Sequence, residues 1–271
     1  MNIRFSSIMA VALVVAFQFS CVVESYAGPP LATDDAGTVN VGKVEVELNG
    51  SYSHDSKTTN GSETVTKVTS GEMKITTGIY KDLGVSLVVP YVFNGRERVD
   101  GVLASDNNGW RDMVLEVKYR FLELGGIGFA IKPKVIMPSG RYANGLSEGR
   151  WQFGTTLIAT REFMDGRYTL HANLGYEHHD YRTEETRTGA RADIWSGSLA
   201  GEAKLIDRLT AVADFGVKTT ADRSTRELTA YSIVGARYEI SSYLDVNAGV
   251  KVGLTAPEDD VTALYGIVLK F

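Results

Sequence analysis

The sequence predicts an all-β protein: a closed up-and-down antiparallel transmembrane β-barrel of about 12 strands, preceded by a cleaved signal peptide. Three observations lead there. Apolar residues recur at every second position in run after run. The connections between the runs alternate short and long, and aromatic residues gather near both ends of the runs.

The opening stretch has Arg4, an apolar run from Ile8 to Phe19, and Ser25-Tyr26-Ala27 as a small-x-small cleavage site. That run is shorter than the roughly 20 residues a spanning helix needs, so it reads as a secretory signal over residues 1–27. Cys21 invites a lipoprotein reading, but Gln18 and Phe19 are poor residues ahead of a lipidated cysteine. Cleavage after Ala27 removes the chain's one cysteine, so disulfides contribute nothing to the mature protein. Residues 28–42 are polar and lack strand periodicity. With Thr33, Asp34, Asp35 and Thr38 as candidates, they form either a plug inside the barrel or a loose periplasmic tail. The barrel itself is expected over 43–271.

From Val44 onward the alternation is sustained. Val44, Val46, Leu48 and Tyr52 open it; Met73, Ile75 and Ile79 follow, then Val85, Leu87, Val89, Tyr91 and Phe93. Further runs are Leu115–Phe121, Ile131–Met137, Trp151–Ala159, Tyr168–Tyr176, Trp195–Ala203, Leu209–Val217, Val234–Ile240 and Leu244–Leu254. Each approaches the length a tilted membrane strand requires. Between them "YKDLG", "LELGG", "FMDGR", "IDR" and "ISS" are tight. "HDSKTTNGSE", "NGRERVDGVLASDNNGW", "SGRYANGLSEG", "HHDYRTEETRTGAR", "TTADRSTRE" and "TAPEDDV" are long and polar, as external loops are. The last run places Tyr265, Ile267, Leu269 and Phe271 in phase. It is expected to pair with the first strand and close the sheet, and it resembles the sorting signal read by bacterial barrel-assembly machinery. Pro90 and Pro133 are expected to mark bulges. The phase is poor from Thr64 to Gly71, and Leu228 to Ser232 fit either register.

Charge is balanced at a formal −5, with no basic block to suggest nucleic acid. Sliding the strand around Val250 by one residue would turn Lys251 and Asp245 to lipid, so the apolar set faces out. The inward face then carries Glu45, Glu47, Lys74, Glu116, Lys118, Arg120, Lys132, Lys134, His171, Glu202, Asp214, Arg237 and Lys251. Two readings stay open: a water-filled conduit, or a lumen filled by salt-bridged side chains. His171 with Asn173 on the same face raises a lipid-hydrolase alternative, although no serine is placed beside it. Adjacent strand residues point opposite ways, so "HHD" at His178–Asp180 suggests no metal site, and no cofactor motif is present.

Several stretches together resemble a family of outer-membrane proteins named for the meta-pathway of phenol degradation. They are "GPPLATDDAGTVNVGKVEVELNGSYS", "VPYVFNG", "WRDMVLEVKYRF", "MPSG" and "HANLGY", in order across the mature chain. Ser139 stands where threonine is expected and Arg111 where glycine is commoner. The resemblance implies a barrel of about 12 strands and transport of small organic compounds. The expected protein is a monomeric Gram-negative outer-membrane channel in contact with membrane lipid, taking up small organic, including aromatic, solutes passively. A lipid hydrolase using His171 and a plugged structural or surface-interaction barrel are the alternatives.

Overall fold

A computed structural model describes residues 29–59 and 61–271; the expected signal peptide lies outside the described residues. The strands are β1 (Val44–Thr59), β2 (Ser62–Tyr80), β3 (Leu83–Val99), β4 (Val102–Trp110), β5 (Met113–Leu124), β6 (Ile127–Met137) and β7 (Gln152–Phe163). They continue with β8 (Tyr168–His178), β9 (Asp193–Ile206), β10 (Leu209–Thr219), β11 (Leu228–Ser241), β12 (Leu244–Gly253) and β13 (Val261–Lys270). Each pairs antiparallel with its sequence neighbour around the ring, and β13 pairs with β1 from Lys270↔Glu45 to Val261↔His54. β4 and β5 both pair with β3, one above the other, and continue into each other past Arg111 and Asp112. They form one stave, so the closed barrel has twelve, as the alternation predicts. Among the described residues no unpaired edge is left in the lipid-spanning part of the ring, where open backbone groups would cost several kcal/mol each.

The tight ends follow from local chemistry. The β5–β6 turn is Gly125-Gly126, both at positive φ (60° and 77°), as a two-residue hairpin that matches strand twist requires. The long connections differ more from expectation. "HDSKTTNGSE" and "NGRERVDGVLASDNNGW" are largely strand: β1 and β2 pair as far as Thr59↔Ser62, and β3 and β4 to Val99↔Val102. These hairpins continue past the apolar part of the wall. Their outward positions His54, Lys67 and Glu63 are polar, which is why the phase fails from Thr64 to Gly71. In the β8–β9 connection a short helix, α1 (Glu184–Gly189), is capped by the Thr183 side chain.

Two expectations about prolines divide. Pro90 does lie at an irregularity: its carbonyl accepts from Arg111, so its missing donor faces the break where β4 gives way to β5. Pro133 does not mark a bulge. It pairs with Thr155 in unbroken register, and the β5–β6 ladder merely lapses between Glu116↔Lys134 and Tyr119↔Ile131. A missing N–H removes one ladder bond without displacing the strand. In β11 the ambiguous stretch resolves with Ile233 and Asp214 cross-paired and buried, while Leu228 and Val234 face outward.

The outer surface is apolar at mid-height, with Leu157, Leu170, Leu174, Leu199, Val234 and Val250 exposed there. Phe121, Tyr168, Tyr238, Tyr243 and Phe271 ring the short-turn end. Phe93, Trp110, Trp151, Phe153 and Trp195 ring the long-loop end. The buried residues are mostly polar, and most lie at inward strand positions or on the segment ahead of β1.

Candidate functional site: the lumen and the N-terminal segment

Side chains alternate along each stave, and Glu47, Glu116, His171, Glu202 and Asp214 are buried on the inner face. Ion pairs tie adjacent and next-but-one staves together. Lys74 meets Glu47 at 3.3 Å, Lys134 meets Glu177 at 2.7 Å, and Arg237 meets Glu202 at 2.7 Å. Lys270 meets Asp245 at 2.7 Å. Others stand apart from the centre. Arg120 turns to Glu123 at the short-turn rim, and Lys251 pairs with Glu258 of the β12–β13 connection. Glu45 lines a small cavity together with Glu47, Lys74 and Glu116.

The chain ahead of β1 runs through this lumen. Val41 forms a parallel bridge with Gly78 of β2, and the Gly42 amide donates to the Gly78 carbonyl (2.9 Å). Gly78 is required there: a Cβ would fall on the Val39 and Asn40 carbonyl oxygens. Farther in, the Ala36 amide donates to Thr160 Oγ1 (2.9 Å), and the Ala36 methyl packs on Ala130 and Ile158, all three almost fully buried. Asp34 lies between Lys118 (2.8 Å) and Lys132 (2.7 Å). With its amide oriented to suit, Asn173 bonds both the N–H and the carbonyl of Asp34. Thr33, 1% exposed, donates from its amide (2.7 Å) and hydroxyl (2.8 Å) to the Asp214 carboxylate and meets the Ser198 hydroxyl at 2.8 Å. The Ala32 amide also donates to Asp214 (2.8 Å). At the far wall, Pro30 rests on Gly235 and Gly249, which face each other across β11 and β12.

Electrostatics follow from this placement. Burial alone would raise the Asp34 carboxyl, but Lys118, Lys132 and Lys74 outweigh it and hold it well below the usual carboxylate range. Burial pushes Asp35 up; Lys118 offsets part of that and the neighbouring Asp34 charge adds to it. Thr38 lines the same cavity as Asp34 and Asp35.

His171 is buried on the inner wall, with Nδ1 3.0 Å from Thr160 Oγ1 and Nε2 3.7 Å from Glu202 Oε1. It faces the segment rather than lipid, and the hydroxyl beside it already accepts from Ala36. A lipid hydrolase needs a nucleophile free to approach substrate, whereas the Thr160 hydroxyl beside His171 is engaged by the segment. His178 and His179 turn to different carboxylates, Asp193 and Glu177, at 3.0 Å each.

Parity alone could not single out Thr160, Ser198, Gly78, Gly235 and Gly249 as the segment's docking partners. Inward glycines on β11 and β12 were the one available signal, since a face otherwise lined by long side chains leaves a groove there.

Residues 30–271 match the family described as "Putative MetA-pathway of phenol degradation". The chain belongs to this family. Among solved structures, the COG4313 outer membrane channel from Pseudomonas putida F1 is similar at 14% identity, covering 88% of this chain and 98% of that one, with a TM-score of 0.71. The NanC porin (9% identity, 83% and 98% covered, TM-score 0.56) shares the barrel. So does the translocator domain of autotransporter NalP from Neisseria meningitidis (13%, 86% and 90%, 0.51). A search of curated proteins finds no match. This family member thus has the fold of Gram-negative outer-membrane barrels, with its apolar belt in lipid.

Proposed function

We propose that this family member is an outer-membrane channel for the passive uptake of small organic solutes, and that residues 28–42 are its gate. The observation that carries the reading is how the segment is held. Among the described residues it crosses the lumen mainly on hydrogen bonds and ion pairs to the wall, with small apolar contacts at Ala36 and Pro30, and runs directly into β1. Polar contacts of this kind can be exchanged for water, so the segment can leave without opening the sheet. On this reading Tyr265, Ile267, Leu269 and Phe271 serve barrel-assembly machinery, and the protein acts as a monomer.

The test is single-channel conductance of the refolded mature protein in a planar bilayer, beside a form lacking residues 28–41. Rare or small openings in the first and a stable, larger conductance in the second are expected. Silence in both, with folding established by heat-shifted gel mobility, would sink the channel reading and favour a structural barrel.

A further inference from the structure

Two lysines face each other on the inner wall. The register that pairs Glu116 with Lys134 and Tyr119 with Ile131 sets Lys118 directly opposite Lys132. Like charges so placed destabilise a strand pair. Most other lumen cations have a close carboxylate on the wall, but Lys132 reaches Glu116 only at 3.6 Å. Among the described residues, both ion pairs of Lys118 come from the N-terminal segment, Asp34 at 2.8 Å and Asp35 at 3.9 Å. One carboxylate, that of Asp34, bridges the two ammonium groups, Oδ1 on Lys118 and Oδ2 on Lys132.

Two residues along β6 from Lys132, on the same inner face, Ala130 forms an apolar spot with Ile158 of β7, and Ala36 of the segment covers it. Within three residues the segment therefore offers a carboxylate to the lysine pair and a methyl group to the apolar floor. When it withdraws, both remain, and among the described residues the lysine pair keeps only one wall carboxylate within ion-pair reach, Glu116 at 3.6 Å from Lys132.

We infer that this seat recognises the transported solute, and that the solute is a small organic monocarboxylate. Its carboxylate lies between Lys118 and Lys132 and its compact apolar body on Ala130 and Ile158. Asp34 and Ala36 are the intramolecular occupants of the same seat. The inference rests on the channel reading above and adds the solute's chemical class and a means of opening. Solute and segment compete, so solute in the seat favours the undocked segment, and the docked segment weakens solute binding by the same factor. A neutral aromatic gains nothing from the lysines, and an inorganic anion gains nothing from the floor.

The test is calorimetric titration of the refolded full-length protein with benzoate, using benzyl alcohol and sulfate as controls. Asp34→Asn removes the competitor's charge and is expected to tighten benzoate binding about tenfold or more. Lys118→Met is expected to abolish it. Because Lys118→Met takes from Asp34 one of its two lysine partners, the triple variant Asp34→Asn/Lys118→Met/Lys132→Met, which removes that half-paired charge, is the second reading of the same loss. Benzoate bound no more tightly by Asp34→Asn than by the parent would overturn the inference. So would binding of benzyl alcohol or sulfate equal to that of benzoate, or binding that survives in the triple variant. Benzoate binding of the expected pattern in a protein that never conducts would overturn the channel reading and leave the seat standing. Conductance without such binding would overturn the seat alone.

Discussion

Replacing Asp214 with alanine tests how the segment is held. The carboxylate accepts three hydrogen bonds at 2.7–2.8 Å, from the Ala32 amide, the Thr33 amide and the Thr33 hydroxyl. Its loss orphans two backbone donors, at about 1–3 kcal/mol each when buried. Water entering from the lumen recovers part of this, so the lower half of the range applies, about 3 kcal/mol in all. That corresponds to roughly a hundredfold fall in the docked-to-undocked ratio. The assay is amide hydrogen exchange on the refolded protein, read at Ala32 and Thr33 against β10 and β11. Protection of the two segment amides should drop by about two orders of magnitude while the strands stay protected. Open probability in a planar bilayer should rise in parallel. Unchanged protection at Ala32 and Thr33 would refute the reasoning, because the polar contacts would then contribute nothing to holding the segment. A uniform loss of protection across β10 and β11 would place the role of Asp214 in the wall instead.

Two further perturbations separate the wall from the loops. Leu199 is exposed on the outer face at the middle of β9, so Leu199→Arg should cost about 2–4 kcal/mol, measured as a lower denaturant midpoint in lipid vesicles. Arg191 donates to the carbonyls of Thr220, Asp222 and Thr225 while its own carbonyl accepts from Tyr181, clasping the β8–β9 connection to the β10–β11 connection. Arg191→Met should make both connections susceptible to added protease on intact cells while leaving heat-shifted gel mobility unchanged.

How much could be read in advance differs between wall and lumen. The outward set Leu157, Leu170, Leu199, Val234 and Val250 was legible because a strand's side chains alternate strictly, and lipid tolerates no charge on one face. Ring closure was legible too, since an open edge has no solvent to satisfy it. The Thr64–Gly71 stretch was not, because above the membrane both faces meet water and the alternation has no cause. Pro133 misled for a different reason. A proline removes one donor, and whether the strand shifts to compensate depends on its neighbours, which here hold it in register.

The amino-acid sequence by itself determined an outer-membrane barrel, its facing and its family, since each rests on periodicity and local motif. Only the tertiary structure decided what fills the lumen. Asp34 lies 84 residues from Lys118, and Thr33 lies 181 from Asp214. A segment with no periodicity carries no sign of the wall it will meet. Its partners are set by ring size, stagger and the inward glycines that leave room for it, and those exist only once the sheet has closed.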